Sequence, residues 1–257
     1  MTLSNIDKAA QALVQARRSG EPVPAAGLAD AIASVDDAYA VQQRVADALG
    51  WCSGTEAARH WKSGGPSRTA PLTHAPLPPG GVWASPARAG NWPFRVRGIE
   101  AEIALRLGSE VDAALAATLD ASSAQALVAA MAVSIEVVDS RWSEGLRARP
   151  LAMLADAQVH GALVLGEWRP FAPRDWTAQT CRVQVGAQAP VERCGDYALG
   201  DPAWLLPAWL RHATRDGRRV ATGTVVTTGT WAGILWAAAG DLVTVEFPGI
   251  GNASVQL

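Results

Sequence analysis

Gly98-Ile99-Glu100-Ala101-Glu102-Ile103-Ala104-Leu105-Arg106-Leu107 is the stretch on which the reading of this chain turns. Ile99, Ala101, Ile103, Leu105 and Leu107 occupy the odd positions, and Glu100, Glu102 and Arg106 fall on the even ones. A period of two is that of a strand, whose successive side chains point to opposite faces. One face is therefore apolar, and the other carries two carboxylates side by side. Adjacent anions repel unless they stay in water or a cation sits between them. Two readings follow: a solvated edge-strand face, or half of a cation site.

Further along, Ala132-Val133-Ser134-Ile135-Glu136-Val137-Val138 reads as a strand buried on both faces. A carboxylate placed there must be paired, protonated or bound to a metal, because an isolated buried charge is too costly. Its plain partner would be an arginine such as Arg141. Its other partner is a cation shared with Glu100 and Glu102. Three carboxylates, completed by water and substrate oxygens, suit Mg²⁺ or Mn²⁺. Asp139 is placed to brace such a site or to cap a helix.

Around these strands the chain divides by composition. Ala9, Leu13 and Ala16 recur at helical spacing before Arg17-Arg18-Ser19-Gly20. A second helix starts at Ser34, with Asp36 and Asp37 in its first turn and Ala38, Val41, Val45 and Leu49 along one face. From residue 64 to 98, dense glycine and proline exclude long helices and predict short strands and ordered loops. Ser122 to Ala130 is predicted helical, capped by Asp120 or Ser122. Leu163 to Leu165 is predicted to be a strand and Pro202 to Thr214 a helix, and Val220 to Leu257 reads as strands broken by glycines. Strand-rich halves around a few helices indicate an α+β fold.

The 257 residues are 49% hydrophobic and 18% charged, enough for a sizeable core. A net charge of -2 gives no reason to expect nucleic acid or an anionic membrane as partner. No apolar run of 18 residues is present, and the N-terminus does not read as a signal peptide, so a cytoplasmic protein is expected. Cys52, Cys181 and Cys194 are odd in number and far apart, which reads as simple buried thiols. Lys8 and Lys62 are the two lysines of an arginine-rich chain. An amine can lose its proton where a guanidinium cannot, so Lys62 is a candidate for proton transfer. There is no GxSxG, P-loop or HExxH pattern.

Gly98 to Ala104, followed by Ser134-Ile135-Glu136-Val137-Val138-Asp139-Ser140-Arg141, resembles the GxEAEIA and IEIVDSR signatures of the 2-keto-4-pentenoate hydratase and 4-oxalocrotonate decarboxylase group. That group lies within the fumarylacetoacetate-hydrolase-like superfamily. Asp37-Ala38-Tyr39-Ala40-Val41-Gln42 is similar to its AYAVQ helix, and Trp61-Lys62-Ser63-Gly64 to its K-x-G element. Thr228-Gly229-Thr230, Gly240-Asp241 and Gly249-Ile250-Gly251 resemble its terminal TGT…GD…GIG run. The resemblance implies a mixed β-roll core (residues 64–257) with an N-terminal helical subdomain (residues 1–63), assembled as a homodimer or larger homo-oligomer. It implies Glu100, Glu102 and Glu136 as ligands of a divalent cation, Mg²⁺ or Mn²⁺, and Lys62 as the active-site lysine. Asp156, His160 and Thr230 are the candidate substrate contacts. The chain departs from the group at Asp156-Ala157-Gln158-Val159-His160, where members carry a DNxSS-like stretch, and His160 is a candidate replacement contact.

The implied activity is a metal-dependent hydratase adding water to a 2-hydroxy-2,4-dienoic or 2-oxo-enoic acid, as in aromatic catabolism. A 2-oxo acid decarboxylase and a carbon–carbon bond hydrolase are the alternatives within the superfamily, and a non-catalytic metal- or ligand-binding relative is the alternative outside catalysis. A desolvated Lys62 near a cation is expected to have a depressed pKa and to act as general acid/base.

Overall fold

Ser4 and Ser34 set the first two helices. In the computed structural model, which describes residues 4–257, α1 (Asn5–Ser19) and α2 (Val35–Ala48) each begin with a serine hydroxyl that accepts a backbone N–H three residues on. Asp7 and Asp37 reach back to the serine backbone, so both starts are capping boxes. Gly20 closes α1 in the left-handed region, with φ 74°. The buried faces, Ala9 and Leu13 on one helix and Ala38, Val41 and Val45 on the other, form a small core with Trp142, Ala152 and Leu154.

The strands run in chain order as β1 (His60–Gly64), β2 (Thr73–Pro76), β3 (Val82–Ala84), β4 (Ala87–Arg88), β5 (Gly98–Leu107), β6 (Val128–Val138) and β7 (His160–Leu165). They continue as β8 (Arg169–Pro170), β9 (Thr180–Val185), β10 (Val191–Cys194), β11 (Val225–Thr227), β12 (Leu235–Trp236), β13 (Leu242–Phe247) and β14 (Gly251–Gln256). Short helices α3 (Ala113–Thr118), α4 (Ala121–Gln125), α5 (Pro150–Ala155) and α6 (Leu206–Ala213) connect them. Among the described residues the strands make two sheets. The nine-stranded one has the order β2-β1-β11-β5-β6-β7-β3, with β12 on β5 and β8 on β6; the five-stranded one has the order β10-β9-β13-β14-β4. The main core joins Ile99, Ile103, Leu105, Val133 and Ile135 of the large sheet to Val243, Val245, Phe247 and Val255 of the small one. This is the α+β architecture read from the alternation in β5.

Three expectations need correction. The helix predicted over Ser122 to Ala130 is only α4, capped by Asp120. From Val128 onward the backbone pairs with β5 instead, and that ladder overrides the weak helical preference of an alanine-rich segment. The domain boundary drawn at residues 63 and 64 cuts through β1, which pairs with β2 and β11 and so belongs to the core sheet. The helical layer also takes in α5, held to α2 by the Gln42 amide donating to the Leu154 carbonyl at 2.6 Å. Finally, Cys194 is exposed, while Cys181 is buried and Cys52 half-buried.

Candidate metal centre

Register in the large sheet brings the polar face together. β5 and β6 pair so that Glu100 lies opposite Glu136 and Glu102 opposite Ser134. On the other side of β5, Thr227 lies opposite Ala104, and Lys62 of β1 lies opposite Thr227. Glu100, Glu102 and Glu136 each offer an oxygen within 4.8 Å of the others. Glu102 and Glu136 are fully buried, and Glu100 is half-buried. The solvated-face reading of the first pair therefore fails.

The surrounding donors account for half of the buried oxygens. Thr227 donates its hydroxyl to Glu102 Oε2 and shares a 2.9 Å hydrogen bond with Ser134 Oγ. Glu136 Oε1 accepts from Lys62 Nζ at 2.6 Å and lies 3.1 Å from His160 Nδ1. Glu102 Oε1 and Glu136 Oε2 are buried with no donor. Acceptors left so in a protein interior carry a desolvation penalty that a cation would remove. All three groups are hard oxygen donors, which fits Mg²⁺ or Mn²⁺ and not a thiolate-loving metal.

Electrostatics follow from the crowding. Burial first, and then the neighbouring carboxylates, push Glu102 up to about 8. Burial raises Glu100 to about 7 against the pull of Lys62. Glu136 runs the other way: burial raises it, but Lys62 and His160 together bring it below the usual carboxylate range. For Lys62, burial is the largest single influence and lowers its pKa, yet Glu136, Glu100 and Glu102 outweigh it and hold the ammonium charged. The three carboxylates set this direction; the depression expected of Lys62 is that of a lysine beside a bound cation, which would oppose their pull. Burial takes His160 down to about 4, so the ring is neutral. A proton on Nδ1, facing Glu136, leaves Nε2 as an acceptor, and Nε2 is buried without a partner.

Between α5 and β7 the backbone makes an unusual turn. Ala157, Gln158 and Val159 have φ of 50°, 55° and 55°, three consecutive non-glycine residues in the left-handed region. Such residues cost free energy and persist only where surrounding structure holds them. The turn aims the Gln158 carbonyl at Lys62 Nζ, 3.4 Å away, and starts β7 with His160 against Glu136. Gln158 also donates its amide to Thr73 Oγ1. This turn is the stretch where the chain departs from the resembled group.

Of the residues singled out in the sequence, Lys62, His160 and the three glutamates converge. Asp156 does not join them. Its Oδ1 accepts from Arg17 at 3.1 Å and Arg141 at 2.7 Å, and its Oδ2 accepts from the Arg141 backbone at 2.8 Å. Arg141 is thereby committed to Asp156 and is not the partner of Glu136. Thr230 spends its hydroxyl inside its own turn, donating to the Gly233 carbonyl and accepting from the Ala232 N–H. Sequence reasoning passed over Gln158, Ser134 and Thr227. Ser134 was within reach, since it lies two positions before Glu136 and so shares its face.

The chain also compares with known proteins. The fumarylacetoacetate (FAA) hydrolase C-terminal family matches residues 50–257. Curated protein sequences give no significant match. Among solved structures, 4-oxalocrotonate decarboxylase from Pseudomonas putida G7, complexed with calcium and acetate, superposes with a TM-score of 0.80 at 18% identity, covering 100% of this chain and 98% of the other. Fumarylpyruvate hydrolase from Pseudomonas aeruginosa, in complex with Mn²⁺ and pyruvate, has a TM-score of 0.57 at 16% identity over 78% of this chain and 89% of its own. The 5-carboxymethyl-2-hydroxymuconate delta-isomerase from Mycobacterium smegmatis has a TM-score of 0.54 at 16% identity, covering 77% of each chain. At these identities the likeness is one of fold. With the family match spanning most of its length, and with the sheet register that gathers Glu100, Glu102 and Glu136, the chain belongs to the fumarylacetoacetate hydrolase family.

Proposed function

We propose that the chain is a divalent-metal-dependent lyase that hydrates a small 2-hydroxy-2,4-dienoic or 2-oxo-enoic acid. The observation that carries this reading is the meeting of three carboxylates within 4.8 Å, with a lysine ammonium hydrogen-bonded to one of them. Glu100, Glu102 and Glu136 would hold Mg²⁺ or Mn²⁺. When bound, the cation supplies a positive centre for the carboxylate and 2-oxygen of the substrate, favouring charge that develops along the conjugated chain.

Protons are the business of the protein groups. Ketonisation moves the 2-hydroxyl proton to the far carbon of the diene. Water then adds to the resulting enone, its hydroxyl to the carbon β to the carbonyl and its proton to the carbon between. Lys62 is the group placed to relay these protons, held by Glu136 and the Gln158 carbonyl and starting as the ammonium. Thr227 and Ser134 keep Glu102 oriented, and His160 does the same for Glu136.

Decarboxylation of a 2-oxo-enedioic acid is the second reading. The full-length likeness to 4-oxalocrotonate decarboxylase, helical layer included, favours it. The same lysine would deliver a proton to the carbon that loses CO₂. As in the resembled group, the working form is a homodimer or larger homo-oligomer; exposed Ile234, Trp236 and Leu242 supply apolar contact area.

An ultraviolet assay of 2-hydroxy-2,4-dienoic and 2-oxo-enedioic acids, with Mg²⁺, Mn²⁺ or EDTA, tests the proposal. Loss of dienol absorbance with a 4-hydroxy-2-oxo acid as product, abolished by EDTA, is expected. Release of CO₂ instead would move the assignment to the second reading. Turnover that persists in EDTA, or none with either class under any metal, would contradict both.

A further inference from the structure

Between the helical layer and the large sheet lies a cavity of about 360 Å³, and none of the three glutamates is among its walls. Its size is that of a small-ligand site. Leu49, Trp51, Trp92, Pro22, Pro78 and Pro93 give it apolar and aromatic sides, and Arg17 and Arg141 are among the cations of its wall.

The two arginines share their nearest counter-charge. Arg17 Nη2 and Arg141 Nε both donate to one oxygen of Asp156, so a single carboxylate serves two cations. Both arginine side chains are only 11% exposed. Arg17 Nε is buried with no acceptor, and its guanidinium lies 5.0 Å over the Trp51 ring. Asp139, another acid in the wall, is turned to the backbone N–H groups of Arg95 and Val96, at 3.2 and 2.9 Å. Glu21 sits exposed at the rim, and among the described residues it makes no ion pair. Burial, and then the neighbouring Arg141, pull Arg17 down to about 9, against the opposing pull of Asp156 and Asp139.

We infer that this cavity binds a small monocarboxylate with a planar apolar body, its carboxylate on Arg17 and Arg141 and its body between Trp51 and Trp92. A guanidinium pair matches a carboxylate in geometry and charge, and the indole faces match an aromatic or conjugated body. The inference is independent of the proposed reaction, since it uses none of the carboxylate cluster.

Benzoate is the probe, titrated calorimetrically into the full chain with Mg²⁺ and again with EDTA. Saturable binding, one per chain, is expected in both, with neutral benzyl alcohol at least about tenfold weaker. Arg17→Met should weaken benzoate by a similar factor, and Glu102→Gln should leave it unchanged. Because Arg17→Met also strips a partner from Asp156, Trp92→Ala serves as a second variant at an exposed position and should weaken benzoate severalfold. Absence of saturable binding, equal affinity for benzyl alcohol, or full affinity in both Arg17→Met and Trp92→Ala would overturn the inference. So would loss of binding in Glu102→Gln, which would place the carboxylate at the glutamate cluster.

Discussion

Lys62 and Glu136 share one short hydrogen bond, and the chemistry proposed here depends on the lysine giving up and regaining a proton. Lys62→Arg keeps the charge but cannot release a proton at working pH, and Lys62→Met keeps only the approximate length. Steady-state assays on the best substrate should show both losing about 10²–10⁴-fold in kcat, the usual contribution of a general acid/base. Near-normal turnover in Lys62→Arg would reduce the lysine to an electrostatic clamp. Much of this was legible in the residues themselves. Glu100 and Glu102 were placed on one face by spacing, Glu136 was marked by its apolar surroundings, and Lys62 stood out by rarity. The pull of the carboxylates on Lys62 was not legible, because it depends on three of them from two strands meeting around an amine on a third. Gln158 was hidden for a related reason: its contact runs through a backbone carbonyl, and composition says nothing about where carbonyls point.

Among the elements, the join between α1 and the sheet rests on Asp156, whose two oxygens collect Arg17, Arg141 and a backbone N–H. Removing it strands two buried guanidiniums. Asp156→Ala should therefore cost about 3–5 kcal/mol, the usual penalty for breaking a buried charge pair from one side, measurable by urea unfolding. A loss under about 1 kcal/mol would show that water compensates both arginines. The helices on either side were readable from local signals: the spacing of Ala9, Leu13 and Ala16 before Gly20 in one, and the Ser34 cap in the other, while the Ser4 cap went unread. The stretch after Asp120 was misread for the opposite reason. Its fate as strand is decided by pairing with Arg106 and Leu107 of β5, well before it in the chain, and pairing leaves no mark in an alanine-rich sequence. The left-handed turn at Ala157 to Val159 was equally silent, since no glycine, asparagine or aspartate marks its three positive-φ positions.

Across the whole molecule, the large sheet acts as a frame that brings residues 62, 100, 102, 136, 160 and 227 to one place, and the helical layer helps to wall the cavity lined by Arg17 and Arg141. The α+β class was legible from alternating strands and capped helices. The division between helical layer and core was not, because β1 leaves the N-terminal region to pair with β11, far along the chain. The central claim is that Glu100, Glu102 and Glu136 together hold one divalent cation, and calorimetric titration of Mn²⁺ tests it most directly. With Glu100 raised to about 7 and Glu102 to about 8, protons compete with the cation at low pH. Affinity should therefore climb as pH rises through that range, with protons released on binding, and level off above it. One Mn²⁺ per chain is expected, with Glu102→Gln and Glu136→Gln each weakening it at least about tenfold, and Lys62→Met binding at least as tightly as wild type because a cation has been removed from the site. Unchanged Mn²⁺ affinity in either glutamate variant, or binding that does not respond to pH in this window, would contradict the account.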